Sequence, residues 1–292
     1  MWRTRILVPG LVVGLLLVAC SPPSEGTDGR LRVAAGAYPL AEAVRWVGAD
    51  RVAVTDLTPP GTEPHDLELT PTQVDRVLDA DLAVVIGGGF QPAVEDAAAR
   101  RGDPTVVAQR LRGAGGEDPH LWLDPRAMRA LVDGLAERLA SLDPAGADAY
   151  RRRAARAGDR LRDLDRRYAT ALADCERRVI VTTHDAFGRL ADRYRFRARS
   201  IAGIAPDQEP DPRRMVELGA LVRRAQVPVV FTEELAPPDV ARALARETGV
   251  PTEVLSPIEG RSAADRQRGA DYWSLMERNR ARLARAMGCV SR

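Results

Sequence analysis

The sequence contains no lysine, only three histidines and only three cysteines among its 292 residues. All 43 basic side chains are therefore arginines, a bias that we attribute to coding rather than to a designed surface. Arginines and acidic residues are interspersed along the chain, and the net charge is only +2. Because no block of basic charge marks a nucleic-acid-binding surface, we expect no nucleic acid among the partners of this protein.

The apolar run near the N-terminus is too short to span a bilayer as a helix. It covers residues 6–19, follows two arginines and ends just before Cys20, which is the layout of a secretory signal. Leu17-Val18-Ala19-Cys20 resembles a bacterial lipobox, so we expect a signal peptide over residues 1–19 and a lipid on Cys20. The alternative is an ordinary signal peptide with a chance cysteine. Residues 20–30 would then tether an extracytoplasmic lipoprotein to the lipid bilayer of the cell membrane.

Two cysteines remain beyond the lipobox, Cys175 and Cys289. An extracytoplasmic location permits a disulfide between them. Because the sequence does not give their separation in space, a disulfide and a pair of free thiols both stay open.

Short β-branched runs alternate with longer stretches rich in alanine, arginine and leucine. This alternation predicts an α/β protein with two (β/α) lobes and mostly parallel sheets, over residues 31–143 and 176–292. The predicted strands cover residues 31–35, 51–57, 82–86, 105–108, 178–183, 197–201, 228–232 and 252–255. The predicted helices cover residues 39–48, 71–80, 91–101, 187–194, 212–225, 238–248 and 272–287.

Between the lobes, residues 144–175 are nearly all strong helix formers, and Leu161, Leu164, Tyr168 and Leu172 recur at spacings of three and four. These features predict a long, rigid linking helix of about 30 residues, roughly 45 Å in length. Lobes joined in this way are expected to move less than lobes joined by extended hinge strands.

Each of the three histidines lies in a short, turn-rich string next to an acidic residue. Imidazole is the commonest metal ligand in proteins, and a metal-bound ring usually donates its second N–H to a carboxylate or a carbonyl. His65 follows the second predicted strand, His120 lies in the loop that closes the first lobe, and His184 directly follows the strand at residues 178–183. Because ligands gather at the carboxyl ends of parallel strands, these loops can meet in one interlobe cleft.

A fourth loop of this kind, Ser256-Pro257-Ile258-Glu259-Gly260, follows the last predicted strand and would add the carboxylate of Glu259. At least 55 residues separate successive candidates, which excludes a zinc finger with its closely spaced ligand pairs. The site, with His65, His120, His184 and Glu259, must therefore be assembled by tertiary structure.

Four motifs in the sequence resemble those of the zinc and manganese solute-binding proteins of ABC importers. They are Pro-His-Asp-Leu-Glu-Leu-Thr-Pro, Asp-Pro-His-Leu-Trp-Leu-Asp-Pro, Thr-His-Asp-Ala-Phe-Gly and Ser-Pro-Ile-Glu-Gly. The resemblance covers nearly all of the mature chain and implies two α/β lobes bridged by a helix, with one metal ion in the cleft. It also implies delivery of that ion to an ABC permease, by a protein that we expect to be a monomer. Carried over residue by residue, the resemblance makes His65, His120, His184 and Glu259 the ligands.

Ligand chemistry favours Zn²⁺, because three imidazoles and one carboxylate suit a tetrahedral site, whereas Mn²⁺ prefers more oxygen donors. Manganese members of the family tend to carry a carboxylate in place of the third histidine, so His184 indicates zinc. Unlike many zinc members, this chain has no histidine in its short loop at residues 110–117. A manganese receptor, a metal-dependent surface adhesin and a secreted zinc hydrolase stay as alternatives. No His-Glu-x-x-His or Gly-x-Ser-x-Gly motif supports an enzyme.

Several other residues near the motifs have more than one interpretation. Glu63 is either an alternative or additional ligand or a solvated loop acid. Glu233 either lines the cleft or makes a structural hydrogen bond, so we leave Glu233 out of the ligand set. The run of three glycines at residues 87–89 lacks the pattern of a phosphate loop and predicts a tight turn. Four aspartates could orient imidazoles or cap helices, namely Asp66, Asp118, Asp124 and Asp185. Trp122 and Phe187 are expected to wall the site and exclude water, with ordinary core packing as the alternative for each.

Overall fold

The computed structural model describes residues 29–102, 104–205 and 211–290. The expected signal peptide and the lipid on Cys20 lie outside these residues. Within the described part of the chain, no helix combines the length and the apolar character that a membrane span requires.

Two four-stranded sheets form the framework, and all strand pairs in both are parallel. The first sheet contains β1 (Leu31–Ala35), β2 (Val52–Asp56), β3 (Leu82–Val85) and β4 (Thr105–Val107) in the order β2-β1-β3-β4. The second contains β5 (Val179–Thr182), β6 (Arg197–Ser200), β7 (Val230–Thr232) and β8 (Thr252–Val254) in the order β6-β5-β7-β8. The prediction of two parallel α/β lobes is thus confirmed, and both lobes repeat one strand order.

Ten α-helices connect the strands within the described residues. They are α1 (Tyr38–Gly48), α2 (Pro71–Leu78), α3 (Pro92–Arg100), α4 (Pro125–Leu142), α5 (Ala147–Ala171), α6 (Gly188–Tyr194), α7 (Pro212–Arg224), α8 (Asp239–Thr248), α9 (Ala263–Gln267) and α10 (Tyr272–Met287). Helices α4 and α9 were not predicted from the sequence. The side chain of Asp124 caps α4 by accepting a hydrogen bond from the backbone N–H of Arg126, and Pro125 occupies the first turn.

The linking helix α5 has 25 residues, so it is about 37 Å long and shorter than expected. A separate 3₁₀ turn at Pro144–Gly146 precedes it, and the Asp143 side chain accepts a hydrogen bond from the Gly146 N–H. The predicted apolar stripe is correct, since Leu161, Leu164 and Tyr168 are buried. Helix α5 packs on α4 and α1 of the first lobe and also contacts α10 of the second.

The two lobes share one hydrophobic core. A single cluster of buried side chains extends from Val33 in β1 to Met287 in α10, while two smaller clusters cover the outer faces of the two sheets. At the surface, Trp46 of α1 stacks on Trp273 of α10 with ring centroids 4.6 Å apart. The guanidinium of Arg160 lies 4.0 Å above the centre of the Trp273 ring. The lobes are therefore held together by side-chain packing as well as by the linking helix α5.

Cys175 and Cys289 form a disulfide. The bond ties the chain just beyond the end of α5 to the chain just beyond the end of α10, across 114 residues of sequence. The second lobe is thus closed covalently at its two ends.

Candidate metal centre

Four side chains from strand-end loops meet in the cleft between the lobes. His65 comes from the loop after β2, His120 from the segment after β4, His184 from the end of β5, and Glu259 from the loop after β8. One potential ligand atom from each lies within 4.8 Å of all the others. These are the four residues that the sequence analysis assigned as ligands.

The three imidazoles converge on a single carboxylate oxygen. The Nε2 atoms of His65, His120 and His184 lie 3.4, 3.0 and 3.2 Å from Oε1 of Glu259. His120, His184 and Glu259 are buried, and the His65 side chain is only 5% exposed. The cluster is therefore a compact group of three nitrogen donors and one oxygen donor that is almost inaccessible to solvent.

The glycine turn after β3 supports the His65 loop. Its three glycines have φ values of 95°, 71° and 79°, the left-handed region that glycine adopts without strain. The two residues that follow the turn point into the first lobe: Phe90 packs on the His65 ring at 4.1 Å between centroids, and Gln91 donates to the Pro64 carbonyl at 3.2 Å. The sequence analysis predicted the turn but missed this support for His65.

Carboxylates hold the far nitrogens of two imidazoles. Asp118 Oδ1 lies 2.8 Å from Nδ1 of His120, and Glu233 Oε2 lies 2.6 Å from Nδ1 of His184. Both contacts leave Nε2 of the ring facing Glu259, as a metal ligand requires. Asp118 thus orients an imidazole, which was one of the two roles predicted for it. Glu233 orients His184 in the same way. Of the other three aspartates, Asp124 caps α4, whereas Asp66 and Asp185 are exposed.

Burial and neighbouring charges shift the pKa of these groups in opposite directions. Burial alone would lower the pKa of His184, but the carboxylates of Glu233 and Glu259 outweigh it and raise that pKa well above its usual value. His120 behaves similarly, with its pKa raised against burial by Asp118 and Glu259. The pKa of Glu259 is well below its usual range despite burial, because the imidazoles stabilise its ionised form. Protons and a metal ion would therefore compete for the same nitrogens.

Glu63 lies beside this cluster but is not one of the four grouped donors. Burial and repulsion from Glu259 raise the pKa of Glu63 to about 9, so its carboxyl is protonated at neutral pH. In the metal-free protein Glu63 therefore adds no second negative charge beside Glu259.

Aromatic side chains close the cleft from the first lobe. The Trp122 ring is fully buried, 5.4 Å from the His120 ring and 5.6 Å from the Phe90 ring between centroids. Phe187 is also fully buried, within the shared core just before α6. Trp122 thus walls the site as expected, whereas Phe187 serves the core.

The fold and this cluster together define a two-lobed α/β protein with a candidate metal centre between its lobes. Residues 33–286 match the model of the ZnuA family, described as the periplasmic component A of the zinc-uptake complex, and the chain belongs to that family.

Two characterised relatives and one solved structure illustrate the similarity. The chain is 32% identical over 287 residues to the zinc-binding lipoprotein AdcA of Streptococcus pneumoniae strain R6, which covers 91% of this chain but only 57% of AdcA. It is 30% identical to the high-affinity zinc uptake system protein ZnuA of Bacillus subtilis strain 168, over 91% of this chain and 92% of that protein. The Zn(II)-bound ZnuA-like domain of S. pneumoniae AdcA superposes with a TM-score of 0.76 at 31% identity, over 89% of this chain and 99% of the domain.

Proposed function

We propose that this chain is an extracytoplasmic receptor that captures Zn²⁺ with His65, His120, His184 and Glu259 and delivers it to the permease of an ABC importer. The observation that carries the proposal is the convergence of three buried Nε2 atoms on one carboxylate oxygen, at 3.0 to 3.4 Å. Two relatives that are named for zinc binding or zinc uptake support the same conclusion.

The donor set favours zinc over manganese. Three imidazole nitrogens and one carboxylate oxygen match the tetrahedral coordination of Zn²⁺, while Mn²⁺ favours six ligands with more oxygen among them. His184 supplies the third nitrogen donor, which is the ligand that distinguishes a zinc site from a manganese site. Its ring is fixed by Glu233, so the preference is built into the second lobe.

The same donor set favours binding over catalysis. A hydrolytic zinc site keeps one coordination position open for a water molecule, which the metal activates. Here Glu259 would occupy the fourth position of a tetrahedral ion. The proposal is therefore a transport receptor and not an enzyme.

The N-terminal segment completes the proposal. A signal peptide over residues 1–19 would direct export and then be removed. A lipid on Cys20 and the tether at residues 20–30 would keep a monomeric receptor beside the permease in the membrane. The relative AdcA is itself named a lipoprotein.

Elemental analysis and zinc titration of protein purified without a histidine tag test this function directly. We expect one zinc ion per chain and, for His184→Ala, at least a hundredfold loss of affinity, because one of four ligands is removed. Asp185→Asn is the matched control, since this neighbouring acid is exposed and should not alter affinity. A wild-type protein that is purified without metal and ignores added zinc would contradict the proposal.

Glu259→Ala and Glu63→Ala separate the two candidate carboxylates. The first substitution should weaken zinc binding strongly and the second only slightly. In cells, a deletion strain should grow poorly in chelated medium and recover with added zinc or a wild-type copy of the gene. If the His184→Ala copy restored growth equally well, delivery through this site would be wrong.

A further inference from the structure

The residue immediately before Glu259 has an unusual backbone conformation. Ile258 has a φ of 58°, in the left-handed region, although its side chain is β-branched and fully buried. A β-branched residue is strained there, and such strain persists only where the surrounding structure holds the backbone in place. The loop that presents the carboxylate ligand therefore needs an external restraint.

One restraint comes from α10, behind the loop. Asn279 is fully buried; its Oδ1 accepts from the Ser256 N–H at 3.0 Å and its Nδ2 donates to the Ser256 carbonyl at 2.6 Å. The Ser256 hydroxyl oxygen in turn accepts from the Ile258 N–H at 3.3 Å. The chain that leads into the left-handed residue is thus fixed on both sides of Ser256.

The second restraint comes from the opposite lobe. The indole N–H of Trp122 donates to the Pro257 carbonyl at 2.7 Å, and the Tyr272 hydroxyl donates to the Trp122 carbonyl at 2.6 Å. The same indole ring walls the site next to His120. A first-lobe side chain therefore holds the peptide unit that directly precedes the strained residue of the second lobe.

We propose that Trp122 and Asn279 are positioning residues that keep Ile258 left-handed and so aim Glu259 at the imidazoles. Separation of the lobes breaks the bond from Trp122 to Pro257, residue 258 relaxes, and the Glu259 carboxylate withdraws. The metal then loses its carboxylate ligand and dissociates faster. This inference rests on the proposed zinc-receptor function and adds a way in which a partner that parts the lobes could trigger release.

A double-mutant cycle in zinc dissociation tests the link between restraint and strain. Trp122→Phe removes the N–H while keeping an aromatic ring, and Ile258→Gly removes the strain, because glycine adopts the left-handed conformation freely. Dissociation is followed by stopped-flow mixing of the zinc-loaded protein with a chromogenic chelator. We expect about a tenfold faster rate for Trp122→Phe in the wild-type background and less than about a threefold change in the Ile258→Gly background.

Trp273→Phe is the matched control, because Trp273 also joins the lobes and contacts Trp46 and the Tyr272 ring, but among the residues that the structure describes it makes no hydrogen bond to the Glu259 loop, and phenylalanine keeps an aromatic ring there. It should leave the dissociation rate unchanged in both backgrounds. If Ile258→Gly does not fold, as judged by circular dichroism, Ile258→Asn replaces it, since asparagine tolerates the left-handed region better than other non-glycine residues.

The outcomes distinguish a failure of the positioning role from a failure of the receptor function. Equal effects of Trp122→Phe in both backgrounds, or no effect at all, would overturn the positioning role while leaving zinc binding intact. A wild-type protein that binds no zinc would overturn the receptor function and this inference with it.

Discussion

Glu233 shows how one supporting side chain acts on a ligand. Its carboxylate contacts the His184 ring through Oε2 at 2.6 Å and accepts from the His184 backbone N–H through Oε1 at 3.2 Å. The two contacts fix both the ring orientation and the backbone of the ligand. Glu233 is itself buried, so its charge acts on the imidazole with little solvent screening.

We predict that Glu233→Gln lowers zinc affinity by about 10- to 100-fold, the usual effect of losing a carboxylate that orients a metal-bound histidine. Competition with a chelator of known affinity measures the change. Asp185→Asn again serves as the control, being adjacent to the same histidine but exposed. Equal losses in the two variants would argue against an orienting role for Glu233.

The same substitution should alter the pH dependence of binding. Because Glu233 and Glu259 raise the pKa of His184 well above its usual value against burial, a proton competes with zinc for this imidazole at higher pH than for an ordinary histidine. Wild-type affinity should therefore begin to fall as the pH drops through this raised pKa, above about 6.5. In Glu233→Gln the fall should begin at lower pH, and profiles that coincide would contradict this.

Protonation of His184 weakens zinc binding but contributes stability to the metal-free fold. A raised imidazole pKa stabilises the folded state fully below the unfolded pKa, and this contribution is lost as the pH rises through the folded pKa. The raised pKa of His184 thus adds stability to the metal-free fold under the conditions in which its proton weakens zinc binding, whereas the lowered pKa of Glu259 contributes stability that is lost as the pH falls through it.

At the scale of helices and strands, much of the architecture is predictable from local patterns. Short β-branched runs bounded by turn residues predicted strands that overlap all eight observed ones. Helix α4 was missed although its signals are present: Asp124 and Pro125 form a normal N-terminus, and Met128, Leu131 and Leu135 repeat at helical spacing. Asp124 was given capping as one of its two interpretations, but no helix was assigned after it.

Contacts between distant elements were not predictable. Glu233 reaches His184 because β7 pairs with β5, although the two residues are 49 apart in sequence. Trp122 and Pro257 are 135 residues apart. The four candidate ligands could be chosen because histidine is scarce and lies at strand ends and because the motifs resemble those of a known family, but the side chains that hold them depend on strand order and lobe packing.

The disulfide acts on helix ends rather than on the site. Cys289 lies just beyond α10, roughly 24 Å along that helix from Tyr272, which contacts the wall of the cleft. We predict that Cys175→Ser with Cys289→Ser destabilises the fold by about 2 to 4 kcal/mol, mainly by freeing the unfolded chain. Denaturant unfolding measures this, and zinc affinity should stay unchanged.

Reduction provides the control for that pair of substitutions. Dithiothreitol should lower the stability of the wild type to that of the double variant and have no effect on the variant itself. A double variant as stable as the oxidised wild type would mean that the bond contributes nothing.

At the scale of the whole molecule, the shared core limits how far the lobes can part. Side chains from both lobes belong to one buried cluster, so a wide opening would expose those apolar side chains that pack between the lobes. The release step inferred above needs only enough movement to break one hydrogen bond. Small interlobe motions are therefore sufficient.

We predict that zinc changes the radius of gyration by less than about 1 Å, from roughly 18 Å for a compact chain of this size. Small-angle X-ray scattering of the protein with zinc and with excess chelator measures the difference. A contraction of several ångströms on binding would show that the lobes open widely and that the shared core does not restrain them.

The division of the four candidate donors between the two lobes has a consequence for metal preference. His120 and Glu259 follow β4 and β8, which hold equivalent edge positions in the two sheets. Of the four candidate donor atoms, the first lobe carries two nitrogens, and the second lobe carries one nitrogen and one oxygen. A single substitution in one second-lobe loop can thus alter the donor chemistry while the first lobe stays as it is. Metal preference in such a scaffold can diverge one half at a time.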